Sequence, residues 1–229
     1  YEISPSMGVD GIMSTLYHRI FLINPRMKKY GVGYAKGRGH KVSVVGYKDD
    51  LRNIDSPPVS YPAPGQIDVP IQFAERGESP DPIPFDNRND KEDKDDRAGY
   101  PITATFYNYP TIGNARAILL DTKKLEEMGE KLKKTKPDLK EESQEWWDIV
   151  KKYAEVECWF SSPEQPANRS IPGNYHSIVL IPKDQLNYTK QYTVLMGATI
   201  KGDPFHKEER DWQETWSFKT VSEKDAKEK

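Results

Sequence analysis

Residues 191–202 read QYTVLMGATIKG, and residues 215–221 read TWSFKTV. Apolar side chains alternate with polar or small ones in both, so one face of an extended chain would meet a core and the other water. The alternation predicts strands at Tyr192–Ile200 and Thr215–Val221. Working backwards, four more strand candidates appear at Ile102–Tyr107, Ala115–Leu120, Val156–Phe160 and His176–Ile181, most of them separated by turn residues. Further upstream, VSYPAPGQIDVPIQF (59–73) mixes strand-like pieces with prolines, as edge strands do. Short strands punctuated by turns predict an antiparallel sandwich.

One segment breaks this pattern. Lys123–Tyr153 has a helical period, with Leu125, Met128 and Leu132 on one stripe and Trp146, Ile149, Val150 and Tyr153 on another. Pro137 divides the two, and Asp138 with Glu141 resembles a capping box that restarts the helix. The segment reads as a helical hairpin inserted between two strands.

The first fifty residues differ in kind. Val9, Ile12, Met13 and Leu16 mark a short helix over 8–16, with Ser6 as a plausible N-cap. An apolar cluster follows at Ile20–Ile23, and Asn24-Pro25 predicts a helical turn ending at Tyr30, before Gly31. GVGYAKGRGHKVSVVGY (31–47) predicts a β-hairpin around Gly37-Arg38-Gly39. Charges and Pro57-Pro58 between Asp49 and Ser60 mark a boundary. Residues 75–98 are rich in proline and charge and predict an exposed loop; 223–229 predict a solvated tail.

Charge excludes little but is informative. Lys and Arg total 34 against 36 Asp and Glu, so no global excess steers the 229-residue chain onto nucleic acid. A mean hydropathy of -0.84 predicts a well-hydrated surface, and no apolar run approaches the roughly 20 residues of a transmembrane helix. The single cysteine, Cys158, excludes an internal disulfide and reads as a small core hydrophobe. The opening YEISPSMG lacks the basic and apolar regions of a signal peptide, so an export address would lie upstream.

GVDGIMSTLYHRIFLINPRMKKYGVGY (8–34) and the following KVSVVGY together resemble the C-terminal part of a bacterial CAP domain, the SCP-like extracellular family. The matching features are a helix with a Val-Asp-x-x-Met-type stretch, a His-Arg step, an Asn-Pro and a Gly-Val-Gly strand. The resemblance implies an α-β-α sandwich with a cleft of two histidines and two acids, in which His18 would be the second histidine. The rest of that cleft would come from an N-terminal half that this chain lacks. Residues 55–222 resemble a bacterial Ig-like domain, through VSYPAPGQIDVPIQF, GYPITATF, VECWFSSPEQPAN, SIVLIPKDQL, QYTVLMGATIKG and TWSFKT. The expected fold is therefore mostly β with α. A partial α/β/α CAP-like segment (1–54) precedes an Ig-like antiparallel β-sandwich (55–222) carrying the loop 75–98 and the helical insertion 123–153.

The candidate site residues are few. His18 is the metal or ligand candidate, since imidazole nitrogen suits zinc-like ions at a completed CAP cleft. Arg19 beside it reads as an ion-pair residue or, less simply, an anion clamp. Trp147 and Trp212, at what reads as the polar phase of their elements, are candidates for stacking on sugar. His40, His176 and His206 are isolated in sequence, and the acids between Asp81 and Asp96 lack EF-hand spacing. No nucleophile elbow, phosphate loop, zinc-protease or Cys-x-x-Cys motif occurs. The expectation is an exported cell-envelope or extracellular binding or assembly module, not catalytic in this chain and with no resident cofactor. Its partner would be a protein, or the missing half-domain, covering residues 1–52, with envelope polysaccharide as a further ligand. The alternatives are a metal-binding CAP protein completed from outside the chain and a carbohydrate-binding accessory domain.

Overall fold

The structure is a computed structural model that describes residues 5–37, 40–49, 55–73, 78, 81–83, 98–168 and 170–228. Helices α1 (Pro5–Ser14) and α2 (Tyr17–Leu22) lead into the hairpin β1 (Met27–Gly37) and β2 (His40–Asp49). Seven strands follow: β3 (Val59–Tyr61), β4 (Ile102–Thr105), β5 (Thr111–Asp121), β6 (Cys158–Ser161), β7 (Ser177–Pro182), β8 (Gln191–Lys201) and β9 (Arg210–Lys219). Helices α3 (Thr122–Thr135) and α4 (Gln144–Ala154) lie between β5 and β6, and α5 (Glu223–Glu228) ends the chain. The architecture is mixed α/β and mostly strands. One antiparallel sheet has the order β3-β4-β7-β6 and another β5-β8-β9, with β1-β2 a separate two-stranded sheet.

The predicted alternation positions the core. Tyr192, Val194, Met196, Ala198 and Ile200 of β8 face inward with Ala115, Ala117 and Leu119 of β5 and Trp216 and Phe218 of β9. Ile102 and Ala104 of β4 and Ile178 and Leu180 of β7 meet them from the other sheet. Tyr192 also fixes the approach to β8, because its hydroxyl accepts a hydrogen bond from the Asn187 N–H (2.9 Å).

Both outer faces of this sandwich are covered as well. Ile118, Leu120 and Leu195 point outward and pack under Met128, Leu132, Trp146 and Val150 of the helical hairpin. Val179 and Ile181, on the outer face of β7, pack with Leu16, Tyr17 and Ile20 of the N-terminal segment and with Phe73, Ile83 and Ala98. That explains why β4 and β7 are buried at every position. The core therefore crosses the expected boundary at residue 54. Between β6 and β7, Asn174, Tyr175 and His176 all adopt positive φ (48°, 49° and 53°). The buried Asn174 side chain stabilises this unfavourable run by donating to Ser161 Oγ and to the Ser177 carbonyl.

Five expectations need correction. Residues 24–30 are not a helical turn. The helix lies earlier, at Tyr17–Leu22, and the Asn24 Oδ1 accepts from the Arg26 N–H to turn the chain into β1. The second insertion helix starts at Ser143, whose hydroxyl caps the Trp146 N–H, and not at Asp138. The proline- and charge-rich stretch is not wholly exposed: Glu78, Ile83 and Ala98 are buried, while 84–97 fall outside the described residues. The tail forms α5, and its Ala226 packs on the sandwich core. The apolar face of α1 is also less open than expected. Leu16 is fully buried and Val9, Ile12 and Met13 are half-buried, so the exposed apolar surface moves to the hairpin, where Tyr30 is 50% and Val32 49% exposed.

Candidate functional site

His18 sits at the start of α2, where several backbone N–H groups lack helical partners. A carboxylate sixty residues downstream supplies them. Glu78 accepts from the N–H of Leu16 (2.7 Å), Tyr17 (2.5 Å) and His18 (3.2 Å), and also lies 3.1 Å from His18 Nδ1. Its side chain is fully buried, while His18 is half-exposed. Both Glu78 oxygens are thus committed to the helix end. Among the described residues no three His, Cys, Asp or Glu side chains gather as a metal requires. The divalent ion implied by the CAP resemblance does not fit the residues described around His18.

Arg19 is fully buried and forms no ion pair with any described residue. Its Nη2 donates to the Pro101 carbonyl (2.7 Å), and its guanidinium lies 4.8 Å from the Tyr61 ring and 5.2 Å from that of Tyr100. The two π-faces replace the expected carboxylate. This position is structural: Arg19 ties α2 to β3 and to the start of β4, and offers no surface to a ligand.

The two tryptophans are half-buried but lie on opposite faces of one sheet. Trp212 shares the inward phase of Trp216 and Phe218, which corrects its expected polar phase, and meets Phe106 edge-to-face at 5.1 Å. Trp147 lies on the helical side, edge-on to Trp146 at 4.7 Å, in a groove with Leu195 and Gln213. They form no common platform.

Trp212 does, however, form one wall of a cavity of about 360 Å³. Phe106, Ile200, Pro57, Pro58 and Pro110 supply the other apolar surfaces, and Asp55, Ser56, Asn108, Asp203, His206 and Arg210 the polar ones. Local sequence explains the polar side. Gly202, at φ 56°, turns the chain out of β8 in a conformation that other residues rarely adopt. Asp203 then folds the loop around its own carboxylate. Its Oδ1 accepts from the N–H of Phe205 and His206, both at 2.8 Å. Its Oδ2 accepts from Arg210 Nη2 at 2.5 Å, and His206 Nδ1 lies 3.2 Å from Oδ1. Burial alone would push the Asp203 carboxyl up, but the Arg210 and backbone hydrogen bonds outweigh it and hold the group down, to about 2.

The opposite wall comes from the segment before β3. Asn108 donates through Nδ2 to Asp55 Oδ1 (3.4 Å) and to the Ser56 carbonyl (3.3 Å). Asp55 Oδ2 stands 3.9 Å from His206 Nε2, across the two walls. Three polar atoms of the lining residues are buried without a partner: Ser56 Oγ, Asn108 Oδ1 and Arg210 Nη1. Each such atom costs about 1–3 kcal/mol relative to a bonded one, so their concentration at one cavity is a departure from ordinary packing. Among the described residues no hydroxyl or thiol hydrogen-bonds to His206 Nε2. The arrangement is equipped to hold a ligand.

Sequence reasoning missed Glu78, Asp55, Asn108, Asp203 and Arg210. The one local signal was the Gly202-Asp203 turn, followed after a short loop by Arg210. No helix among the described residues is long and apolar enough to cross a membrane. The chain matches no protein-family model, no curated protein and no solved structure.

Proposed function

We propose that the chain is an exported binding or assembly module of the cell envelope, an Ig-like sandwich carrying a partial CAP-like segment and not catalytic by itself. The strand order supports the Ig-like part. β3-β4-β7-β6 opposite β5-β8-β9 corresponds to the A-B-E-D and C-F-G sheets of a constant-type immunoglobulin domain, with the helical hairpin between strands C and D. Tyr192 supports it further, because a tyrosine near the start of strand F that bonds to backbone just upstream is the tyrosine corner of such domains.

The observation that carries the binding role is the β1-β2 hairpin. A two-stranded sheet is at best marginally stable alone in water. This one still leaves Tyr30, Val32 and the glycines Gly31, Gly33 and Gly46 open to solvent. A protein surface covers that face in the working assembly.

Enzymatic iodination of tyrosine with a membrane-impermeant peroxidase tests both parts. It is applied to the purified chain and to cells opened as far as an intact cytoplasmic membrane. Tyr153 and Tyr188, which are 44% and 40% exposed, are expected to label in both samples, and Tyr30 only in the purified chain. No labelling in the opened cells would refute export. Equal labelling of Tyr30 in both samples would refute the covered hairpin.

A further inference from the structure

We propose that the cavity between the β8–β9 loop and residues 55–58 binds a single uncharged sugar ring, stacked on Trp212. The inference gives a ligand class to the binding module proposed above. Its failure would leave the hairpin result untouched, because the two experiments read different residues.

The volume comes first. About 360 Å³ lies at the lower end of the ~300–1,000 Å³ typical of small-molecule sites, which suits one ring better than an extended ligand. Chemistry then selects the ring. Trp212, with its orientation set by Phe106, offers an aromatic surface to the C–H face of a pyranose. The accessible polar groups of the lining are of opposite kinds: the half-exposed Asp55 carboxylate accepts, and the part-exposed Arg210 guanidinium donates. A hydroxyl is both donor and acceptor, so a polyol satisfies both kinds where a carboxylate or an ammonium satisfies only one.

Charge argues in the same direction. The Arg210 guanidinium is engaged by Asp203, and the half-exposed Asp55 carboxylate lies on the opposite wall. Asp55 and Asp203 set two carboxylates against the one Arg210 guanidinium at the cavity, a balance that disfavours anions. Asp55, supported by Asn108, keeps oxygen capacity for a sugar hydroxyl, and His206 Nε2 faces the same space.

The test titrates the purified chain with methyl glycosides of neutral hexoses and N-acetylhexosamines, with acetate, phosphate and choline as comparators. Saturation-transfer NMR and tryptophan fluorescence report binding. At least one neutral glycoside is expected to bind saturably and more tightly than any comparator. Asp55→Asn, a change at a half-exposed side chain, is expected to weaken it about tenfold, and Trp212→Phe about fivefold. Trp147→Ala is expected to leave affinity unchanged, and circular dichroism checks that each variant is folded. Comparable affinity for a soluble polysaccharide and for its component glycoside would support a single-ring site. Binding of the polymer alone, of no glycoside at all, or of an anion or choline more tightly than sugar would overturn the proposal. So would a loss that follows Trp147 and spares Trp212 and Asp55.

Discussion

Replacing Asp203 by Asn tests whether a buried carboxylate organises the β8–β9 loop. The substitution keeps the shape of the side chain and the oxygen that faces the Phe205 and His206 N–H groups, but removes the charge that binds Arg210. The Asp203 carboxyl is held at about 2, against an ordinary value of 3.8. That difference corresponds to roughly 2 kcal/mol of folding stability. The sign follows from the direction of the shift. A carboxyl with a depressed folded value contributes fully above its unfolded value, and its contribution is lost as pH falls from about 3.8 towards 2. Wild type should therefore exceed Asp203→Asn by roughly 2 kcal/mol at neutral pH, and by about half of that near pH 3. Urea unfolding followed by tryptophan fluorescence, at neutral pH and in steps down to about pH 3, measures the gap. A gap under about 0.5 kcal/mol at neutral pH, or one that stays constant on acidification, would refute the reasoning.

Glu78→Ala should lower stability by about 3 kcal/mol, since it strands the N–H groups of Leu16, Tyr17 and His18 at the start of α2. Glu78→Gln, which keeps one accepting oxygen, should cost clearly less in the same urea unfolding assay. Glycine positions should respond in opposite directions. A Cβ at Gly99 would lie 2.5 Å from the Pro182 Cβ and 2.7 Å from the Asp184 carbonyl oxygen, so Gly99→Ala should cost about 1–3 kcal/mol in urea unfolding. A Cβ at Gly129, within α3, meets nothing within 4 Å, so Gly129→Ala should stabilise by about 0.5–1 kcal/mol.

The parts of the fold legible in the sequence were those whose periodicity directly expresses burial. β8 alternates because Val194, Met196 and Ala198 face the core while Thr193 and Leu195 face the helices, and that pattern survives in any local window. The helical hairpin was legible for the same reason, with Pro137 as its break. Segments fixed by distant partners were not legible. Asn24-Pro25 carries the signature of a helix start, yet α2 begins earlier because Glu78 supplies its cap from a polar run that reads as solvated. Arg19 reads as an ion-pair residue, but the partners it finds are the Tyr61 and Tyr100 rings. The cavity was hidden most completely. Asp55, Asn108 and His206 come from three separate loops, and only the closing of the two sheets brings them to one place.

The helical hairpin has a consequence for how this architecture could be remade. Its two ends are stapled where it leaves and rejoins the sandwich, by a bridge between Leu120 and Glu155 and by the Val156 N–H donating to the Leu119 carbonyl (2.9 Å). From the side of the sheets, the excursion is no longer than a tight turn, and closing it adds little entropy penalty to the pairing of β5 with β8. Residues 122–154 are thus a cassette. A short turn joining Asp121 to Glu155, with Ile118, Leu120 and Leu195 changed to polar residues, should yield a smaller folded sandwich, and another module could be spliced in at the same junction.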